Sequence, residues 1–423
     1  MTRTGLRSDY GNHTDVLREA RFTMTSHLVR SGRTVVVGDS PVARGLREAL
    51  GVRLHAPGGG GGAGPHAAQP PTSGGTPAGF DGADAVVIVG QTGDFESVVA
   101  RRTAERRAET AERVHAAVAG AAAAGVVHVV GISSAMVEGA APGRALIDDD
   151  DGTDCALGAV GTLTSDGTDA SFGAPFGGAP DAALDPDANA DLDASTDPDS
   201  STDPDDGAAG DLRAFEAALL EAAAAHHVER LTVLRPAVLV GPGVDTLLTR
   251  HFEAPRILTV RGTRRDWQLV HVDDLASAVA VAVEHGLTGA LTVGAVRDGE
   301  PDVLDPDEVV AITGLRTVDL PAAVAFAAAE RLHRVGALPA PASDLACTVY
   351  PWTVSARRLT AAGWVPGWSS RSCLELLVDQ AHGRLGVGGR RVARRDAAAL
   401  GAAGAAVALL GTAAVWRQAR GRR

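Results

Sequence analysis

No lysine occurs anywhere in the 423 residues, so the 39 basic side chains are all arginine. That absence excludes a phosphate-loop lysine, a Schiff-base lysine and any catalytic pair that sets an ammonium beside a tyrosine. Aromatic residues make up only 4% of the chain, and its two tyrosines are Tyr10 and Tyr350. The core must therefore be built from alanine, valine and leucine. Three cysteines, Cys155, Cys347 and Cys373, show no Cys-x-x-Cys spacing. Neither a metal site nor a disulfide framework is expected, and a reducing, cytoplasmic address is. Residues 1–32 scatter charges (Arg3, Arg7, Asp9, Arg18) and lack an apolar run, which argues against a secretory signal and predicts a poorly ordered leader or a short helix.

The formal charge of −13 is local in origin. Residues 147–211 hold 18 Asp and no Arg, with Asp-Pro-Asp near-repeats, and predict an acidic, disordered insert. No basic stripe interleaved with aromatics occurs elsewhere, so nucleic acid is not an expected partner. Residues 57–80, with five consecutive glycines, predict a surface loop. Near the C-terminus, residues 397–416 form an uncharged stretch of 20 between arginine clusters. Its length fits one membrane crossing, but ten alanines leave it only marginally apolar. An anchor on the inner membrane face and a peripheral Ala-rich helix both stay open.

What remains is an alternation of short apolar strands and helices. Residues 34–37 (Thr-Val-Val-Val) lead through Gly38 into a helical pattern of Val42, Leu46 and Leu50, and residues 52–55 allow a second strand. Continuous apolar runs at 84–90 and 126–133 read as strands buried on both faces, with a helix over 99–124 between them. After the insert come a helix over 212–226, strands at 231–236 and 267–271, and a helix over 274–285. This order predicts an α/β protein with a Rossmann-type, doubly wound parallel sheet. Its halves are residues 33–146 and 212–300, followed by a small C-terminal substrate lobe at 301–385 and an Arg-flanked Ala-rich helix at 386–423.

Several blocks carry chemistry. Gly38-Asp-Ser-Pro-Val-Ala-Arg-Gly45 places a glycine after the first strand, where a helix N-terminus can receive a diphosphate, although Pro41 and Arg44 stand where a GxxGxxG turn has glycines. Gly131-Ile-Ser-Ser-Ala-Met-Val-Glu-Gly139, Leu234-Arg-Pro-Ala-Val-Leu-Val-Gly-Pro-Gly243, Trp267-Gln-Leu-Val-His-Val-Asp-Asp-Leu-Ala276 and Leu359-Thr-Ala-Ala-Gly-Trp-Val-Pro366 follow in order. Together they resemble the NAD-dependent epimerase/dehydratase family, the extended short-chain dehydrogenases/reductases, most nearly UDP-glucose 4-epimerase-like actinobacterial proteins. The resemblance covers about residues 33 to 380.

The resemblance implies NAD or NADP as cofactor, a nucleotide sugar or other small molecule as partner, and a homodimer. It places the catalytic serine on Ser134 and the cofactor contacts on Gly38, Asp39, Ser40, Val89, Gly90, Ser133 and Pro236. Arg264 and Arg265 would hold the sugar-nucleotide phosphates. The family's proton-transferring tyrosine and its lysine fall on Ala208 and Leu212, neither of which exchanges a proton. Two functions therefore stand at this stage. One is a catalytically weak or inactive epimerase/dehydratase-like protein, and the other a non-catalytic dinucleotide-responsive scaffold or sensor. Arg235 is expected to pair within the fold, and His271 with Asp274 to open a helix.

Overall fold

The computed structural model describes residues 33–51, 79–95, 101–149, 207–254, 256–335, 338 and 340–386. The strand proposed at 52–55, the leader, residues 57–78 of the glycine-rich loop, residues 150–206 of the acidic insert and the stretch 397–416 lie outside these, while Phe80 at the end of that loop is buried in the core. Thr34–Val37 (β1) runs through Gly38 into Pro41–Ala49 (α1), followed by Ala85–Val89 (β2), Thr103–Ala123 (α2) and His128–Ile132 (β3). Beyond residue 206 come Ala208–Ala225 (α3), Arg230–Pro236 (β4), Val238–Val240 (β5), Leu247–His251 (α4), Arg256–Val260 (β6), Leu269–His271 (β7), Val272–Glu284 (α5) and Gly289–Val293 (β8). The lobe continues with Pro306–Thr313 (α6), Arg316–Leu320 (β9), Ala322–Arg334 (α7), Ala342–Val349 (α8), Arg357–Ala361 (α9) and Ser370–Gly386 (α10).

Five parallel strands form the main sheet in the order β1-β2-β3-β4-β8. Successive side chains of a strand point to opposite faces, so a continuous apolar run feeds two cores. Val87 and Val89 pack with α1 and α5 on one face, while Val86 and Ile88 pack with α2 and α3 on the other. The sheet is doubly wound in that sense.

Phe215 and Leu219 of α3 lie so close to the sheet that only glycine fits beneath them. A Cβ on Gly90 would stand 2.4 Å from the Phe215 ring, and one on Gly131 2.4 Å from Leu219.

Three expectations are corrected. The strand at 267–271 does not join the main sheet, because β7 pairs with β5 in a separate two-stranded sheet beneath the lobe. The place it leaves beside β4 is taken by β8, residues 289–293. Both ends of the segment 147–211, residues 147–149 and 207–211, belong to the described fold. Ile147 is buried and bridges to Val354, and the buried Asp149 carboxylate accepts from the Thr292 N–H and Oγ1 and from the Arg358 N–H at 2.7 Å. At the far end α3 starts at Ala208, not 212.

The lobe is seated by buried carboxylates receiving backbone N–H groups. Asp274, in the first turn of α5, accepts from Gly367 and Trp368 at 2.7 and 2.9 Å, while the His271 ring caps α5 and stacks on Trp368. Arg235 on β4 is buried with a carboxylate on either side. Its Nε and Nη2 hold Glu216 at 3.0 and 2.6 Å, and its Nη1 holds Glu138 at 2.7 Å.

Candidate functional site

A cleft of about 650 Å³ opens at the C-terminal ends of β1 and β2, where open parallel sheets receive ligands. Its floor is Gly90–Phe95, and one side is the start of α1. The N-terminal turns of α2 and α3 face it, and α7 and α8 of the lobe close it with His333 and Asp344.

The β1–α1 turn is built for backbone approach. Gly38 has φ +101°, and no atom lies within 4 Å of where its Cβ would be. Arg47 fastens the turn by donating to the Gly38 carbonyl and to Asp39. The first N–H groups of α1 are nevertheless spent. Pro41 has none, Val42 donates to the Thr92 carbonyl at 3.2 Å, and Ala43 donates to Ser40 Oγ at 3.2 Å. The helix dipole and the open glycine turn suit a diphosphate, but the donors expected from α1 are engaged. Arg44, in the first turn of α1, lines the cleft, is exposed, and makes no ion pair among the described residues. A guanidinium there supplies the positive charge and donors that the backbone does not.

The walls carry more charge. Asp211 of α3 is held by two arginines of α2, Arg106 at 2.6 and 2.9 Å and Arg107 at 3.0 Å. Asp245 is paired with Arg250 at 2.6 and 2.7 Å. Arg113 is half-buried, and burial lowers its pKa. Gln91 on the floor is buried with its Oε1 unpartnered.

Asp344 differs from the other acids. It is 5% exposed, and both its oxygens accept from the Ala208 N–H, at 2.9 and 3.2 Å. It thereby caps α3, whose N-cap residue Gly207 has no side chain to do so. Gly207, at φ +111°, must be glycine, since a Cβ would stand 2.4 Å from Asp344 Oδ1. Burial pushes the Asp344 pKa up to about 7, and burial likewise takes Asp274 to about 6.

Both folded values lie above the ordinary 3.8, so the stability these groups contribute is full below about pH 4 and is lost as pH rises through 6 and 7. The melting temperature should fall between about pH 4 and 7 and level off above. Asp344→Asn should flatten that fall, most clearly between about pH 6 and 7 where Asp274 no longer contributes, as followed by circular dichroism.

No family model matches the chain. Among curated proteins, uncharacterized proteins of Mycobacterium tuberculosis and Mycobacterium bovis are 35% identical over 65 residues, which is 15% of this chain. The match spans 17% of the length of those relatives. Among solved structures, MoeE5 in complex with UDP-glucuronic acid and NAD is similar at TM-score 0.48 and 16% identity, covering 84% of this chain and all of that one. RMD from Pseudomonas aeruginosa with NADPH gives TM-score 0.45 and 16% identity, over 84% of this chain and 100% of that one. A putative epimerase from Burkholderia cenocepacia gives 0.47 and 19%, over 84% and 99%.

Of the residues expected to serve the site, Asp39, Ser40 and Gly90 line the cleft. Gly38, Val89, Ser133 and Pro236 do not form its wall. Val89 belongs to the α1–α5 core, and Ser133 is fully buried with its Oγ unpartnered. Ser134 has a structural occupation. It is fully buried, its Oγ donates to the Pro236 carbonyl at 3.3 Å and accepts from the Met136 N–H at 3.3 Å, and it caps the short 3₁₀ turn Ala135–Glu138.

Arg264 and Arg265 are likewise away from the cleft. Arg264 is exposed and pairs with Asp266 at 2.9 Å. Arg265 is buried in the lobe, 3.9 Å from the Trp267 ring centroid, and donates to the Tyr350 carbonyl. Stacking on apolar rings, not solvent access, fixes its place.

Arg106, Arg113, Gln91 and Asp344 were not legible as cleft residues. A helical i, i+3, i+7 spacing puts Arg106, Glu109 and Arg113 on one face of α2, the one signal that was available. Cys347 and Cys373 are both buried, and burial pushes the Cys347 thiol up to about 12, so neither is a nucleophile at neutral pH. Among the described residues no group of three metal-ligating side chains occurs, and no helix is long and apolar enough to cross a membrane.

Proposed function

We propose that the cleft binds NAD or NADP and that the protein acts on, or binds, a nucleotide sugar in the manner of the epimerase/dehydratase family. The observation that carries this reading is the cleft itself. A positive-φ glycine turn after the first strand and a glycine after the second meet at the carboxyl ends of a doubly wound parallel sheet. Structures of similar fold were solved with NAD or NADPH, and one with UDP-glucuronic acid, which agrees with it. Bound there, a nicotinamide dinucleotide supplies hydride transfer.

This chain's own residues would then do three things. Gly38 lets the backbone approach, Arg44 meets the diphosphate, and Gly90 keeps the floor low beneath Phe215. The ordinary tyrosine-dependent proton transfer is missing, since Ala208 and Leu212 have no exchangeable proton, so turnover by that route is weak or absent.

Calorimetric titration of NAD(H) and NADP(H) into the full chain tests the reading: micromolar binding is expected, and none at millimolar cofactor overturns it. Arg44→Gln should weaken binding about tenfold and reduce the salt dependence of the affinity, as one fewer guanidinium meets phosphate. Unchanged affinity would return the diphosphate to the backbone of α1.

A further inference from the structure

We propose that Asp344 is the group of this cleft that takes a proton from the bound ligand and returns it. The inference rests on the dinucleotide reading above and deepens it, by naming the side chain that stands in for the missing proton donor.

Most acids of the cleft already have partners. Asp39 pairs with Arg47, Glu109 with Arg101, Asp211 with Arg106 and Arg107, and Asp245 with Arg250, and the half-buried Asp94 is engaged within the fold. A carboxylate whose oxygens are already engaged by a guanidinium is less available to a ligand hydroxyl. Asp344 lines the same cleft, is buried, and has no cation within ion-pair distance among the described residues. On the neighbouring turn of α3, the cleft-lining Ala208, Leu212 and Phe215 offer no alternative.

The surroundings hold the carboxyl near the balance point. Asp211 of α3 disfavours its charge, Arg106 of α2 favours it, the Ala208 N–H favours it, and Cys347 lies on its own helix. His333 of α7 shares the wall, with its Nδ1 directed at the Leu338 carbonyl. Desolvation outweighs the favourable contacts, and a value of about 7 suits a group that must both accept and donate at neutral pH.

Both protonation states can keep the cap, because either carboxyl oxygen can accept from Ala208 while the other carries or releases the proton. In the step itself the ligand O–H bond breaks and an Asp344 Oδ–H bond forms. The electron pair of the adjacent C–H bond leaves as hydride, for which the co-reactant is an oxidised nicotinamide dinucleotide. In the opposite direction the carboxylic acid gives its proton to the carbonyl oxygen as hydride returns. No atom or charge is left over.

A capping role alone would look similar in the structure, so the test separates the two with Asp344→Asn, which keeps an acceptor for Ala208 and cannot exchange the proton. Infrared spectra of the full chain with 13C-labelled aspartate, taken from pH 5 to 9, read the carboxyl directly. A protonated band that titrates near pH 7 and is missing in Asp344→Asn is expected. A band that titrates in the ordinary carboxylate range overturns the proposal.

Calorimetry of NADP+ and NADPH in buffers of different ionisation enthalpy supplies the second readout. The cationic nicotinamide favours the Asp344 anion, so NADP+ should release about half a proton more than NADPH near pH 7 in the wild type. That difference should vanish in Asp344→Asn, and its survival there overturns the proposal. If neither dinucleotide binds while the band still titrates near pH 7, the dinucleotide reading fails and the acid–base role fails with it, although the neutral carboxyl stands. The two failures are thus told apart.

Discussion

Arg235→Met should cost about 3–5 kcal/mol of stability, enough to leave a domain of ordinary stability marginally folded. The guanidinium is buried between Glu216 on α3 and Glu138 on the 3₁₀ turn, and it donates to both. Truncation does not simply delete two contacts. It strands Glu216, 10% exposed, beside an apolar sheet and leaves Glu138 only its longer 3.6 Å ion pair to Arg144, so the Glu216 charge must then be neutralised or hydrated. Double replacement, Arg235→Met with Glu216→Gln, should recover part of the loss, and denaturant unfolding of the single and double variants measures it. An Arg235→Met loss below about 1 kcal/mol would mean that solvent reaches the carboxylates and that the network is not a strut of the fold.

Gly90→Ala is expected to have the second large effect, on stability and on ligand binding together. The added methyl would stand 2.4–2.7 Å from three carbons of the Phe215 ring, which is itself fully buried. Neither partner can swing away, because the ring packs between two core helices and the sheet. Overpacking of this kind costs about 1–3 kcal/mol. The displaced ring or raised strand end would intrude on the cleft floor, so dinucleotide affinity should fall at least tenfold. Phe215→Leu placed on Gly90→Ala removes ring atoms from the collision and should restore stability, giving a favourable coupling of 1 kcal/mol or more. Additive effects in the thermal melts would place the collision elsewhere.

How far the sequence anticipates this molecule depends on the range of the interaction. Val86-Val-Ile-Val89 and Val129–Ile132 announce buried strands by local composition alone, and both are where the pattern puts them. Gly289-Ala-Leu-Thr-Val293 is a strand of the same sheet but is only five residues long and begins on glycine, so it carries too little periodicity to stand out. The strand around residue 270 is recognisable as a strand, yet its partner is β5, which starts directly after the bend at Ala237; Pro236 marks the break, but nothing local says which strand the next three residues pair with.

The site was legible in its glycines and hidden in its acids. Gly38 declares itself by following a strand. The Val42 N–H, by contrast, is consumed by Thr92, 50 residues away, and Asp344 reaches Ala208 across 136 residues. Ser134 shows the converse. A motif can survive at the level of letters while burial and two hydrogen bonds assign it to architecture.

The all-arginine charge set has a practical outcome at the cleft mouth. Arg102 is exposed there at the N-cap of α2, and its guanidinium makes no hydrogen bond or ion pair among the described residues. Exchanging it for lysine would install the sole ε-amine in the molecule. Amine-directed fluorophores or cross-linkers would then report from one address, with the α-amine as the one competing site. Bioconjugation that is hopelessly promiscuous on most proteins becomes nearly stoichiometric on this one, beside the cavity whose occupancy is to be read.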